Sequence, residues 1–177
     1  VGRFVWSARA SGLTQGNRHG EAGQLIPNFR ALTGGVFARG TYALGAVTLE
    51  AGGRYDARHL EAYPRVRGAY EKTISRYEAF TGAAGVIWQF APTWSAAANV
   101  GSAWRPPSVN ELYSYGVHHG TAQFEVGDAA LGRERGTGVD ATLRHEGGRV
   151  HLEASVFATH FDGFLLLFPF PAFMLLN

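Results

Sequence analysis

Two histidines stand side by side at positions 118 and 119, and the stretch that carries them, Ser102 to Asp128, also holds Glu111, Tyr113, Tyr115, Glu125 and Asp128. Imidazole and carboxylate donors of this kind suit zinc or another borderline cation. Adjacent residues on an extended backbone point to opposite sides, so one ion held by both His118 and His119 requires a turn, which Gly116 and Gly120 permit. The candidate metal ligands are therefore His118 and His119. The wider candidate ligand-binding set adds Glu111, Tyr113, Tyr115 and Glu125. The competing reading of the same residues is a solvated polar loop.

A second cluster, His59, Glu61, Tyr63, Arg65, Arg67, Tyr70 and Tyr77, mixes cationic and aromatic groups that could hold an anionic ferric chelate by charge-assisted hydrogen bonds and stacking. The alternative is a charged loop that only keeps the exterior soluble. Arg18 and His19 form a weaker third group. There is no Gly-x-Ser-x-Gly, no His-Glu-x-x-His and no glycine-rich phosphate loop, so the chain is not read as an enzyme. A hydrolase would have to bring Ser, His and Asp together from distant segments. Cysteine is absent, which removes disulfides and thiolate metal sites, and no resident cofactor is expected. The net charge of +2 comes from 15 arginines and one lysine spread along the chain, so no nucleic-acid partner is expected.

The elements that position these groups are strands. Val47, Leu49, Ala51, Gly53 and Tyr55 alternate with Thr48, Glu50, Gly52, Arg54 and Asp56, which sets an apolar face against a charged one. The same period of two runs through Phe80 to Phe90, Trp94 to Gly101, Val139 to Arg144 and Val150 to Thr159, more weakly through Gly35 to Leu44, and as a stub in Val1 to Ala10. Leu44 to Ala46, Ala91 to Thr93 and Glu146 to Arg149 read as tight turns. Ala57 to Ala79 and Arg105 to Arg135 read as long loops, far beyond the few residues of an ordinary connection. Short and long connections alternate, as in an up-and-down barrel with all turns at one rim and all loops at the other. The apolar face then meets lipid, because an outward arginine at mid-bilayer costs roughly 2 to 4 kcal/mol, and Glu50 and Arg54 face the lumen. Asp140, Arg144, His151 and Glu153 are expected to be wall residues that pair across strands. Trp6, Trp88, Trp94 and Trp104 fall near strand ends, where interfacial aromatics belong.

The run Arg105, Pro106, Pro107, Ser108 followed by Asn110, Glu111, Leu112 and Tyr113 resembles a signature of TonB-dependent outer-membrane receptors. In that family it ends a barrel strand and opens an extracellular loop that helps to hold an incoming metal or metal chelate. Leu25 to Phe29, Gly53 to Asp56 and Phe161 to Phe164 resemble further segments of the same barrel in the same order, so the likeness runs from Val1 to about Leu166. The tail, Leu167 to Asn177 with Pro169 and Pro171, departs from it. The resemblance implies a barrel of about 22 strands around an N-terminal plug. Six or seven strands are expected here, so residues 1–177 are expected to form part of a barrel domain without the plug. It also implies uptake of a metal ion or chelate, zinc or a ferric siderophore, since related receptors with a His-His loop include zinc importers.

The fold expected is all-β, an antiparallel up-and-down transmembrane β-barrel segment in the outer membrane of a Gram-negative cell. Its expected partners are outer-membrane lipid, TonB acting through the plug, and the transported ligand. The rival readings are a passive porin-like or autotransporter barrel, and a soluble β-sandwich or lipocalin-like binding module.

Overall fold

The computed structural model describes residues 2–18, 25–66, 68–118, 120 and 123–168. Seven long strands form one antiparallel sheet in the order β1 (Arg3–Asn17), β2 (Asn28–Leu44), β3 (Val47–Tyr63), β6 (Thr73–Ala91), β7 (Trp94–Arg105), β10 (Glu134–Gly147) and β11 (Val150–Asp162). Two small hairpins, β4 (Arg65–Val66) with β5 (Ala69–Tyr70) and β8 (Tyr115–His118) with β9 (Gln123–Val126), and one short helix, α1 (Val109–Tyr113), decorate the loops.

Turn chemistry fixes the register. Leu44 pairs with Val47, Ala91 with Trp94 and Gly147 with Val150, so three two-residue turns share one rim. Gly45 and Gly148 hold φ of 58° and 57°, a left-handed backbone that disfavours other residues. Neighbouring turns are tied by Gln89 N–H to the Ala46 carbonyl and Glu146 N–H to the Thr93 carbonyl, both at 2.8 Å. The long connections all leave from the opposite rim, as the alternation of loop lengths requires.

Because antiparallel partners share a face, the register turns the sequence alternation into two surfaces. Leu49, Val86, Ala98, Ala141 and Val156 form one cross-strand row of the apolar face. No second sheet lies against it among the described residues: Leu49 is 49% exposed, Phe80 65% and Val156 71%. That arrangement excludes a soluble sandwich, whose apolar rows would interlock in a dry interior. The other face carries cross-strand polar pairs. Arg144 Nη2 lies 2.7 Å from Glu153 Oε2, Asn99 Nδ2 2.8 Å from Asp140 Oδ2, and Arg39 Nη1 3.7 Å from Glu50 Oε1. At about 3.3 Å per residue and a tilt of about 40°, Val47 to Asp56 rises roughly 23 Å, close to the height of the apolar band of a barrel wall.

Three expectations need correction. Ala57 to Ala79 is not a loop: β3 and β6 continue in register up to Ala62 opposite Thr73, leaving only residues 64–72 to connect them. The alternation fades there because the apolar face gives way to His59, Glu61, Arg76 and Glu78. The Arg105 to Arg135 connection shrinks to residues 106–133 and contains α1 and the β8–β9 hairpin. The stub at Val1 to Ala10 is a full strand running to Asn17.

The β6–β7 ladder stops at Ala83 opposite Gly101. One residue higher, the Ser102 hydroxyl accepts from Gly82 N–H at 3.2 Å and lies 3.5 Å from the Gly82 carbonyl, taking the place of the next pair of backbone bonds. Beyond it β7 stays with β10 as far as Arg105 opposite Glu134, while β6 stays with β3.

Candidate functional site

The Arg-Pro-Pro-Ser run leaves β7 and turns straight into α1. Ser108 is its N-cap, with its hydroxyl accepting from Glu111 N–H at 3.2 Å while Glu111 Oε2 accepts from Ser108 N–H at 2.7 Å. This reciprocal capping box satisfies donors that so short a helix would otherwise leave open. Arg105 Nη1 donates to both oxygens of Glu111, at 3.0 and 2.9 Å. The same guanidinium reaches both oxygens of Glu134 at 3.4 Å and the Leu165 carbonyl at 3.3 Å. Arg105 therefore joins the ends of β7 and β10, the foot of α1 and the chain after β11. Burial raises the Glu111 pKa, but hydrogen bonds from Arg105 and Ser108 and the Arg105 charge outweigh it and hold the carboxyl below the usual carboxylate range.

α1 leans inward. Val109 and Leu112 are buried against Ala31 of β2 and Leu60 of β3 on the polar face, with Ile26, Phe29, Tyr113 and Leu131 around them. The Tyr113 hydroxyl lies 3.3 Å from Ser75 Oγ of β6. The long loop thus rests on the polar face of three strands, β2, β3 and β6. Its descending limb is closed by Gly127 N–H to the Ser114 carbonyl at 2.7 Å and Asp128 N–H to the Glu111 carbonyl at 2.8 Å. A Cβ on Gly127 would sit 2.6 Å from Leu112 C and Tyr113 N, so this close approach of two backbones requires glycine.

From that base rises the β8–β9 hairpin, tied to the β1–β2 connection by Tyr115 N–H to the Leu25 carbonyl at 3.2 Å. One face brings His118 Nδ1 to 2.7 Å from Glu125 Oε1. In the tautomer this contact selects, Nδ1–H donates to the carboxylate and Nε2 presents a lone pair, the orientation used when a carboxylate positions a metal-binding histidine. The other face is apolar, with Tyr115 edge-on to Phe124 at 5.2 Å and 88°, and Tyr115 72% exposed.

The candidate residues accordingly separate. His118 and Glu125 come together. Glu111 and Tyr113 are engaged below them, in the cap and on the wall, and Tyr115 lies on the opposite face of the hairpin from His118. His119 lies outside the described residues, as do His19 and Arg67. Among the described residues no three His, Asp or Glu side chains converge as a metal cage. Of the second cluster, His59, Glu61 and Tyr63 lie on β3 and Tyr77 on β6. The Glu61 carboxylate accepts from Lys72 at 3.1 Å and lies 3.4 Å from His59. The capping box is readable as Ser-x-x-Glu at 108 to 111, but the following apolar run is too short to show a helical period.

The family described as TonB dependent receptor-like, beta-barrel matches residues 5–174. The chain belongs to that family. The match passes Leu166 and enters the tail that the sequence resemblance left out. Among solved structures, this receptor barrel is similar to the copper transporter OprC, with TM-score 0.64 and 18% identity over 78% of this chain and 23% of that one. It is also similar to HasR, the hemophore receptor of Serratia marcescens, solved as a double mutant with its hemophore HasA and heme (TM-score 0.66, 16% identity, 92% of this chain and 33% of that one). The FrpB iron transporter from Neisseria meningitidis gives TM-score 0.55 and 21% identity over 78% of this chain and 19% of that one. At these identities the likeness is one of fold, and the chain spans between a fifth and a third of the structures it matches. The family assigns the two faces of the TonB-dependent receptor sheet: the apolar rows meet lipid and the polar pairs line the lumen.

Proposed function

We propose that residues 1–177 are part of the barrel domain of a Gram-negative outer-membrane receptor that takes up a metal ion or a metal chelate with energy passed by TonB to a plug. The observation that carries this reading is the loop of residues 106–133. On a barrel of this family it is fastened across the lumenal mouth by α1, and it lifts His118, oriented by Glu125, above the opening. A caught ligand would lie over the passage it must enter. Zinc or another borderline cation suits an imidazole with carboxylate support. A ferric chelate would use the aromatic face of Tyr115 and Phe124 with the cations of the rim. The structures it resembles include a copper transporter, an iron transporter and a hemophore receptor in complex with heme, which supports the metal class without choosing within it.

The test is calorimetry on the full-length receptor. For the zinc reading, replacing His118 and His119 together by Ala should weaken Zn²⁺ binding by about tenfold or more, and Glu125→Gln should weaken it less. Unchanged zinc affinity in the double variant removes the metal-loop reading. Zinc-independent binding of a ferric chelate that falls in Tyr115→Ala would select the chelate instead.

A further inference from the structure

The lumenal arginines on strands flanked by neighbours on both sides meet carboxylates, with one exception. Arg39 meets Glu50, Arg54 meets Asp56, Arg105 meets Glu111 and Arg144 meets Glu153. Arg58 of β3 meets none among the described residues. Its Nη1 donates to two neutral oxygens, Gln15 Oε1 at 3.1 Å and Thr33 Oγ1 at 3.4 Å, and its Nε is buried without a partner. The nearest acid on its own strand, Asp56, is already held by Arg54 through both oxygens, at 2.7 and 2.5 Å. Directly across the register stand Thr33 on β2 and Tyr77 on β6, neither of them acidic.

Position gives this exception a meaning. One lumenal place above Arg58, Leu60 is sealed beneath α1. Below it opens a lumenal cavity of about 510 Å³, lined in part by Arg54, Thr81 and Asn99. A cation with a donor withdrawn from water and no counter-charge among the described residues is unfavourable by itself, and with Nη1 already committed the remaining charge of the guanidinium suits an oxygen of a carboxylate or similar anion. We propose that Arg58 is an oxyanion-binding site in the barrel throat, directly under the roof made by α1. The group it takes is a carboxylate or similar oxyanion. That group arrives either on a free anionic solute or as an acidic side chain from a part of the same protein outside residues 1–177.

Citrate titration and hydrogen exchange on the full-length receptor separate the two sources. If the anion is a free solute, Arg58→Gln weakens citrate binding by about tenfold or more, the loss of one charge-assisted contact. Arg58→Lys then recovers part of the affinity, and Arg144→Gln, at a guanidinium that already has its acid, changes nothing. If the anion is the protein's own, citrate affinity stays the same, while an acidic segment outside this chain loses exchange protection in Arg58→Gln and regains it in Arg58→Lys. No change in either measurement overturns the proposal, as does an equal loss of citrate binding in Arg144→Gln.

Discussion

Along β3 two regions follow different rules. From Val47 to Asp56 the strand keeps its apolar side chains on the lipid face and its charges on the lumenal face, and the lumenal charges are tied by exposed pairs such as Arg39 with Glu50. From Ala57 to Tyr63 the arrangement reverses. His59 and Glu61 stand on the continuation of the lipid face, whereas Leu60 and Ala62, on the lumenal side, are fully buried. The solvent explains the switch. Beside hydrocarbon the stabilising burial is supplied by lipid, but above it both faces meet water, so the chain must build a core of its own, and α1 provides the covering layer. The loop base behaves like a small soluble protein set on a membrane wall.

That contrast can be broken from either side. Leu112→Ala removes the main apolar contact of α1 with Leu60, and a large-to-small change in a packed core costs about 2 to 5 kcal/mol. Hydrogen exchange on the full-length receptor should show residues 109–114 losing protection while the band from Val47 to Asp56 keeps its own. Loss spread evenly over both regions would mean that they fold as one unit. Val86→Arg attacks the wall instead. It places a cation on the lipid face at a cost of roughly 2 to 4 kcal/mol, read from the urea midpoint of folding into vesicles, with the loop base unaffected.

Smaller effects sharpen the same boundary. Arg105→Gln breaks the fork on Glu111 and should loosen the loop base by about 1 kcal/mol, a figure reduced for screening because the Arg105 side chain is 40% exposed. Since the folded carboxyl of Glu111 is held below its unfolded value, its contribution is complete at neutral pH and is lost as pH falls through that lowered value. Protease resistance of the loop should therefore drop in acid, and drop less in Arg105→Gln, where the stabilising contact is already gone. The smallest expected effect is at Arg144→Gln. Its partner Glu153 is 54% exposed, and the urea midpoint should not move measurably.

What the sequence made legible follows the same division. Six or seven strands, against the seven observed, three tight turns and the polar identity of Glu50, Arg54, Asp140 and Arg144 could be read because lipid on one side and water on the other impose a strict period of two. The upper halves of β3 and β6 were hidden because that constraint ends with the bilayer. α1 was hidden by its length, and the β8–β9 hairpin by the lack of any alternation longer than four residues. Of the candidate site, the closeness of His118 and Glu125 reflects a cross-strand register that no spacing in the chain displays. The structural duty of Glu111 depends on Arg105, and the isolation of Arg58 on strands far away in sequence.

The hydroxyl of Ser102 at the head of the β6–β7 ladder has a mechanical consequence. Above it the crown divides into two panels, one made from β1, β2, β3 and β6 and the other from β7, β10 and β11. They are buttoned together by α1 resting on the first panel, by Tyr113 at Ser75 and by Arg133 at the Glu78 carbonyl, with no continuous backbone seam. A crown so divided is held across its seam by side chains and α1 alone, whereas the wall below it is held mostly by backbone ladders.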